Sequence, residues 1–267
     1  MRSSFRTRLK TIQLQDKPAR FPTAQVNGAP LKPITEVLLD RRATRRFKPD
    51  PVPEDYLEAI LQFAAQAPSG FNLQPWRFIV VREPQNRKRL QQAAMNQAKV
   101  AEAPVVIIAF SINDEWRKFI KKIFEEAALR GAGRLEDVEE MTATATDFLD
   151  KLPADVWLNR HTMIAVTTMM LVAETYGLDT APMEGFDPEA VKKEFGLPLE
   201  AEVIALLAIG FADRPDKSYP GRFSLDFIAC AERYNRPWPG ERNARGPATS
   251  VRENRKKPQQ TKKRRHT

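Results

Sequence analysis

Val105-Val106-Ile107-Ile108-Ala109-Phe110 is a continuous run rich in β-branched side chains, which predicts a central strand buried on both faces. Phe78 to Val81 and Val203 to Ile209, the latter stopped by Gly210, predict two more strands, and Leu178-Asp179-Thr180 a short fourth. Helical spacing governs the segments between them. Ile34, Val37, Leu38 and Leu39 predict a helix ending at Asp40. Pro53-Glu54-Asp55 predicts a helix start, followed by Tyr56, Ile60, Phe63, Ala64 and Ala67 and broken at Pro68-Ser69-Gly70. A helix is predicted from Pro84 to Ala98. A long buried one spans Trp157 to Tyr176, with Ile164, Thr167, Thr168, Leu171, Val172 and Thr175 as its stripe and Gly177 as its stop. The segment 114–155 is helical in pattern and densely charged, with aromatics at Trp116, Phe119 and Phe124, and reads as an inserted lid or arm. Strands separated by helices, without GxGxxG or GxxxxGK[ST], predict a layered α/β sandwich that is neither a dinucleotide fold nor a P-loop.

Charge divides the chain into three parts. Residues 1–20 carry six basic and one acidic side chain, residues 241–267 ten basic and two acidic, and the total of +9 therefore leaves 21–240 acidic at −4. The reading is a basic, Pro-containing extension over 1–33, one principal domain over 34–239, and a basic tail over 240–267 without regular structure. The Arg-rich start is similar to an organellar transit peptide, but a plain extension is the preferred reading. The tails lack interleaved aromatics and the core is acidic, so no specific nucleic-acid binding is expected. Cys230 is the only cysteine, which excludes an intrachain disulfide framework, and no apolar run reaches membrane-helix length; a cytoplasmic protein without a membrane partner is expected.

With two histidines and one cysteine, the chain has no evident catalytic cluster, so an activity would need a bound cofactor. Five pieces carry the candidate chemistry. Arg41, Arg42, Arg45 and Arg46 offer guanidinium forks for a phosphate, although a solvated helix face looks the same. Ser69, Gly70, Asn72 and Gln74, running into Pro75-Trp76, offer backbone amides and short polar side chains beyond what a turn requires. Asn96 and Lys99 set an amide and an ammonium on one side of a helix end; a polar helix terminus is the plain alternative. Pro182-Met183-Glu184-Gly185 is a loop whose glycine admits close approach. Arg222 follows the last strand as a second phosphate ligand, or as surface charge.

In this order the five pieces resemble the FMN-dependent nitroreductase family. Arg41-Arg42-Ala43-Thr44-Arg45-Arg46-Phe47 looks like its opening R-R-S-x-R-x-F, and Pro68 to Phe78 looks like its P-S-x-x-N-x-Q-P-W-x-F loop. Asn96-x-x-Lys99 before an apolar strand and Pro182-Met183-Glu184-Gly185-Phe186 before Phe195-Gly196-Leu197-Pro198 also correspond, so the likeness covers about 34–239. It implies an α+β fold, a three-layer α/β/α sandwich with a mostly antiparallel mixed sheet, forming an arm-exchanged homodimer with FMN at the interface. By likeness Arg41, Arg42 and Arg222 hold the phosphate, Arg45 and Lys99 sit near ring N1 and O2, and Asn96 pairs with the pyrimidine edge. Pro68, Ser69, Gly70 and Asn72 arrive from the partner subunit, and a backbone N–H of Glu184 or Gly185 faces N5. Two departures stand out: Ala43 replaces a hydroxyl residue, and Gly70 stands where a second serine is common.

The implied reaction is a ping-pong transfer of electrons from NADPH or NADH to a nitroaromatic, quinone or enone, with the flavin supplying the reactivity. Trp116, Phe119 or Phe124 would roof the pocket or form a dimer contact. A flavin-consuming or dehalogenating enzyme of the same fold, a non-catalytic flavin carrier and a nucleic-acid-binding protein are the alternatives.

Overall fold

The computed structural model describes residues 25–26, 29–214 and 218–238, which fall into two compact units, one up to Lys217 and one from Ser218. The first begins with a hairpin of β1 (Gln25–Val26) and β2 (Ala29–Pro30), inside the stretch expected to be an unstructured extension. The Asn27-Gly28 dipeptide between them is the usual hairpin signal. Then follow α1 (Ile34–Asp40), α2 (Glu54–Ala64), β3 (Trp76–Val81), α3 (Pro84–Ala93), α4 (Ala98–Glu102) and β4 (Val105–Ile112). The inserted segment carries α5 (Ile120–Leu129) and α6 (Val138–Asp150). The long α7 (Ala154–Thr175), β5 (Asp179–Met183), α8 (Pro188–Phe195) and β6 (Ala201–Gly210) complete the unit. The rest of the N-terminal extension and the tail after Trp238 lie outside the described residues.

The four long strands pair in the order β3-β4-β6-β5, every neighbour antiparallel. Among the described residues the parallel component is a single bridge, Ala43 to Thr180, on the open edge of β5. Alternation along the strands sends Val106, Ile108, Leu206 and Ala208 to one face, where Leu90, Val100 and Val191 of α3, α4 and α8 cover them. Val105, Ile107, Leu207 and Ile209 point the other way, under Leu57 and Ile60 of α2 and Val166, Met169 and Ala173 of α7. The result is the expected three-layer α/β/α sandwich. Between Ala109 and Phe110 the register on β6 jumps from Ala205 to Val203, leaving Ile204 as an extra residue. This bulge lets Val203 and Leu206, three apart, face the same layer.

Several boundaries differ from the pattern-based reading. The helix expected over 84–98 is two helices, because Met95 and Asn96 adopt left-handed backbone with φ of 54° each. Both strand ends near β5 also shift: Pro182 and Met183, expected in a loop, pair with Leu207 and Leu206. On α7 the buried stripe is Thr162, Ala165, Val166, Met169 and Ala173, whereas Ile164 and Thr167 of the expected stripe are exposed. Small residues hide the true inner face, since they let α7 approach the sheet closely. Ser111 of β4 and Thr162 of α7 share a buried hydroxyl pair at 2.8 Å on that contact.

The insertion is a small core in its own right. Trp116, Phe119, Ile120, Ile123 and Phe124 pack with Val138, Ala145 and Leu149 and against Trp157 and Leu158 at the start of α7. Its three aromatics are largely interior, 6 to 8% exposed, and Phe124 also lines a cavity beside Phe71. The second unit holds α9 (Leu225–Ile228) and a Cys230–Pro237 bridge, with Phe223 and Phe227 side by side at 4.6 Å and largely exposed.

Gly210, which ends β6, has no room for a side chain: a Cβ there would lie 2.5 Å from Pro104 Cδ and 3.1 Å from Phe47. Gly210→Ala should therefore lower unfolding free energy by roughly 1–3 kcal/mol, read from the urea midpoint at unchanged slope.

Candidate functional site

After α1 the chain runs extended along the edge of β5. Thr44 N–H donates to the Thr180 carbonyl at 3.0 Å, and Lys48 N–H to the Phe211 carbonyl at 2.9 Å. Asp179 fastens both neighbours: one carboxylate oxygen accepts from the Thr44 hydroxyl at 3.4 Å and the other from Ala212 N–H at 2.7 Å. Thr44 is buried, so the flanking Ala43 and Arg45 face outward. Arg46 then reaches Glu102 at 2.9 Å and leaves the cluster that the four arginines were expected to form. Arg42 folds back, its guanidinium donating to the Arg41 carbonyl at 2.7 Å.

Arg45 comes close enough to Lys99 for their charges to oppose each other. Burial first, and the Arg45 charge second, hold the Lys99 ammonium below the ordinary lysine value of 10.5. Among the described residues no carboxylate pairs with Arg41, Arg45 or Lys99. Two cations within reach of each other's charge and without a carboxylate partner make a site whose potential favours an anion.

The turn before Lys99 completes this corner. Asn96 is exposed, and its N–H donates to the Gln91 carbonyl at 3.0 Å. Gln97, not foreseen as a site residue, donates through its amide to the Gly185 carbonyl at 2.7 Å and so ties this turn to the loop after β5. A Cβ on Gly185 would sit 3.5 Å from Met95 Sδ and 3.6 Å from Gln97 Nε2. Glu184 is exposed, but the Met183 side chain is buried in the core, so only its backbone can serve a ligand. Pro182 lies on the outermost strand. Segments 41–45, 95–99 and 184–185 thus share one corner of the sandwich.

The Pro68 to Gln74 loop does not join them. Ser69 Oγ accepts from Gln74 N–H at 3.0 Å, and Phe71, Asn72 and Gln74 all have left-handed backbone, with φ of 54°, 55° and 46°. A Cβ on Gly70 would lie 3.3 Å from Trp157 Cζ2 and 3.4 Å from His161 Nε2. A side chain at Gly70 would therefore be in close contact with α7. Beside the loop lies a cavity of about 330 Å³ lined by Phe71, Phe124, Met141, Thr144, Asp137 and Glu140.

Register measures the separation. Trp76 pairs with Ser111, whereas Thr180, through Ile209, is level with Val105. Six residues along β4 and three strand spacings across amount to roughly 20 Å and 14 Å, so Trp76, which follows the loop, and Thr180, which pairs with the arginine segment, stand about 25 Å apart. Within one chain, Ser69 and Asn72 cannot share a ligand ring with Arg45 and Lys99. Arg222 belongs to the second unit, where its guanidinium donates to the Gly221 carbonyl at 2.6 Å and lies 5.7 Å from the Tyr219 ring centre.

Comparison with known proteins shows which family the chain resembles. The profile of the Nitroreductase family matches residues 38–211. A Thermus thermophilus protein named NADH dehydrogenase is 37% identical over 68% of this chain and 87% of its own length. A Bacillus subtilis protein named as an NAD(P)H nitroreductase is 34% identical over 73% of this chain and 95% of its own. Among solved structures, a nitroreductase from Exiguobacterium sibiricum in complex with FMN superposes with a TM-score of 0.69 at 25% identity, covering 79% of this chain and all of that one.

The depressed Lys99 sets a sign for pH dependence. The folded chain releases this proton at lower pH than the unfolded chain, so stability rises as pH climbs through the folded value toward 10.5. Denaturation curves at stepped alkaline pH should show wild type gaining on Lys99→Met across that window, and a bound anion should remove the gain.

Proposed function

The chain belongs to the nitroreductase family, and from that premise we propose that it is an FMN-dependent oxidoreductase drawing electrons from NADPH or NADH. The observation that carries this reading is the convergence of Arg45 and Lys99, without carboxylate partners, beside the Gln97–Gly185 contact. These residues fit the flavin's anionic edge and phosphate. The bound flavin supplies a two-electron relay between the nicotinamide and an electron-poor acceptor, a nitroaromatic, quinone or enone, in a ping-pong sequence.

The chain's own groups bind and polarise. Arg45 and Lys99 would favour negative charge at the ring's N1 and O2 edge, and the partial burial of Lys99 makes its charge count for more than it would in water. Arg41 and Arg42 would hold the phosphate, and Asn96 would pair with the pyrimidine edge. A backbone N–H of Glu184 or Gly185 would be the donor for N5, and the missing Cβ of Gly185 would leave that approach open. Lys99, easier to deprotonate in the empty site, regains its proton affinity when an anion sits beside it.

We take the separation of about 25 Å between Trp76 and Thr180, near which the two groups lie, as support for a homodimer. Ser69, Gly70 and Asn72, with Pro68 shaping their approach, would contact the flavin held by the partner's arginines. The exposed Ile34, Leu38, Leu39 and Ile164 offer an apolar surface for that association.

Purified protein should carry a flavin spectrum, or gain one on reconstitution with FMN, and NADPH or NADH should bleach it under nitrogen. Protein that cannot take up FMN would overturn the proposal, and flavin that neither nucleotide bleaches would reduce it to a carrier. Ser69→Ala and Asn72→Ala should each weaken FMN binding about fivefold to tenfold, the value of one hydrogen bond of about 1 kcal/mol, and sedimentation should report a dimer.

A further inference from the structure

The loop that carries Ser69 and Asn72 is held in a backbone conformation it would not adopt alone. Phe71, Asn72 and Gln74 are left-handed, and for residues with a Cβ that region is disfavoured by roughly 1–2 kcal/mol each. Such backbone persists only where its surroundings over-determine it. Two features supply the constraint. Leu73 is 4% exposed and packs among the insertion's Trp116 and Phe119. Arg77, at the start of β3, donates through Nη1 to the carbonyls of Gln74 at 3.1 Å and Trp76 at 2.7 Å. Its other terminal nitrogen, Nη2, meets Glu115 Oε2 at 2.7 Å.

Glu115 is an unusual partner. It stands at the entry to the insertion, yet its side chain is only 7% exposed. A carboxylate so placed requires its counter-ion, because the desolvation cost of burying it alone is several kcal/mol. One turn on, Arg117 bonds Asp114 at 3.0 Å and also Asp150, closing the insertion's entry onto its exit. The insertion is therefore a buckled body with its own core, and Glu115 is the group it offers to β3.

We infer that Arg77 is a positioning residue for the Ser69–Asn72 loop and that the inserted helices, through Glu115 and the Leu73 contact, set the loop's conformation. The planar fork matters. One guanidinium can satisfy two carbonyls and a carboxylate in fixed directions, whereas an ammonium is a point charge with no such geometry. That this loop serves the flavin rests on the proposed function; that Arg77 and the insertion hold it does not.

The test separates holding the loop from merely stabilising the fold. Arg77→Met should lower stability and accelerate amide exchange at Asn72, Leu73 and Gln74 in the flavin-free protein. It should also raise the FMN dissociation constant by roughly tenfold. The double variant Arg77→Met with Glu115→Met removes the buried unpaired carboxylate, and its melting temperature should recover toward wild type. Exchange at those amides and the FMN dissociation constant should nevertheless stay elevated, because the Gln74 and Trp76 carbonyls still lack their donor. Arg77→Lys should fall between wild type and Arg77→Met on both readouts. A double variant whose exchange and FMN affinity both lie within about twofold of wild type would overturn the inference. A wild-type chain that takes up no FMN counts against the proposed function instead, and the exchange rates still decide the role of Arg77.

Discussion

The antiparallel pairing of β4 with β6 is the constraint on which the first unit depends. Both strands are interior to the sheet and covered on both faces, so a slip of one residue would exchange the two buried sets of side chains. The same register fixes the outer strands. β3 hangs from β4 and sets the height of the Pro68–Gln74 loop, while β5 hangs from β6 and carries Asp179, which fastens the arginine-bearing segment. The Ile204 bulge corrects the side-chain parity once, near the loop end of the sheet, and leaves the pairing at the arginine end regular.

Charge is then sorted by local alternation. A single buried threonine decides that Arg45 faces outward toward Lys99, and Arg46, one residue later, finds Glu102. The same residue type thus forms an ion pair in one place and, next to it, faces another cation. Nothing in composition separates the two. What distinguishes the second is the absence, among the described residues, of a carboxylate partner, and a Lys99 held below its ordinary value.

The strands were legible because unbroken apolar runs have few other uses: Val105 to Phe110 and Val203 to Ile209 both form interior strands. The family motifs were legible for a different reason, since their order along the chain is specific even where each is weak. The inner face of α7 was not readable, because Thr162, Ala165 and Ala173 carry little hydrophobic signal and the larger Ile164 and Leu171 draw attention to the wrong side. Met95 and Asn96 break a helix without a glycine or proline to mark it. Arg77 and Glu115, Gln97 and Gly185, and Asp179 with its two partners are contacts between residues far apart in sequence, visible only once the register is known. The insertion's aromatics could not be assigned from sequence between core and pocket, because their packing onto Val138, Ala145 and Leu149 is set by the second helix of the insertion.

The wide separation of the two halves has a genetic consequence. If each complete site takes its cations from one chain and its Ser69–Asn72 loop from another, lesions in the two corners are not equivalent to one another. A chain damaged in 41–45 still has a sound loop to lend, and a chain damaged in 69–72 still has sound cations. Mixed pairs of two inactive chains would then contain one wholly intact site alongside one doubly broken one. Function lost in either parent would return in the hybrid, a form of complementation between alleles of a single protein.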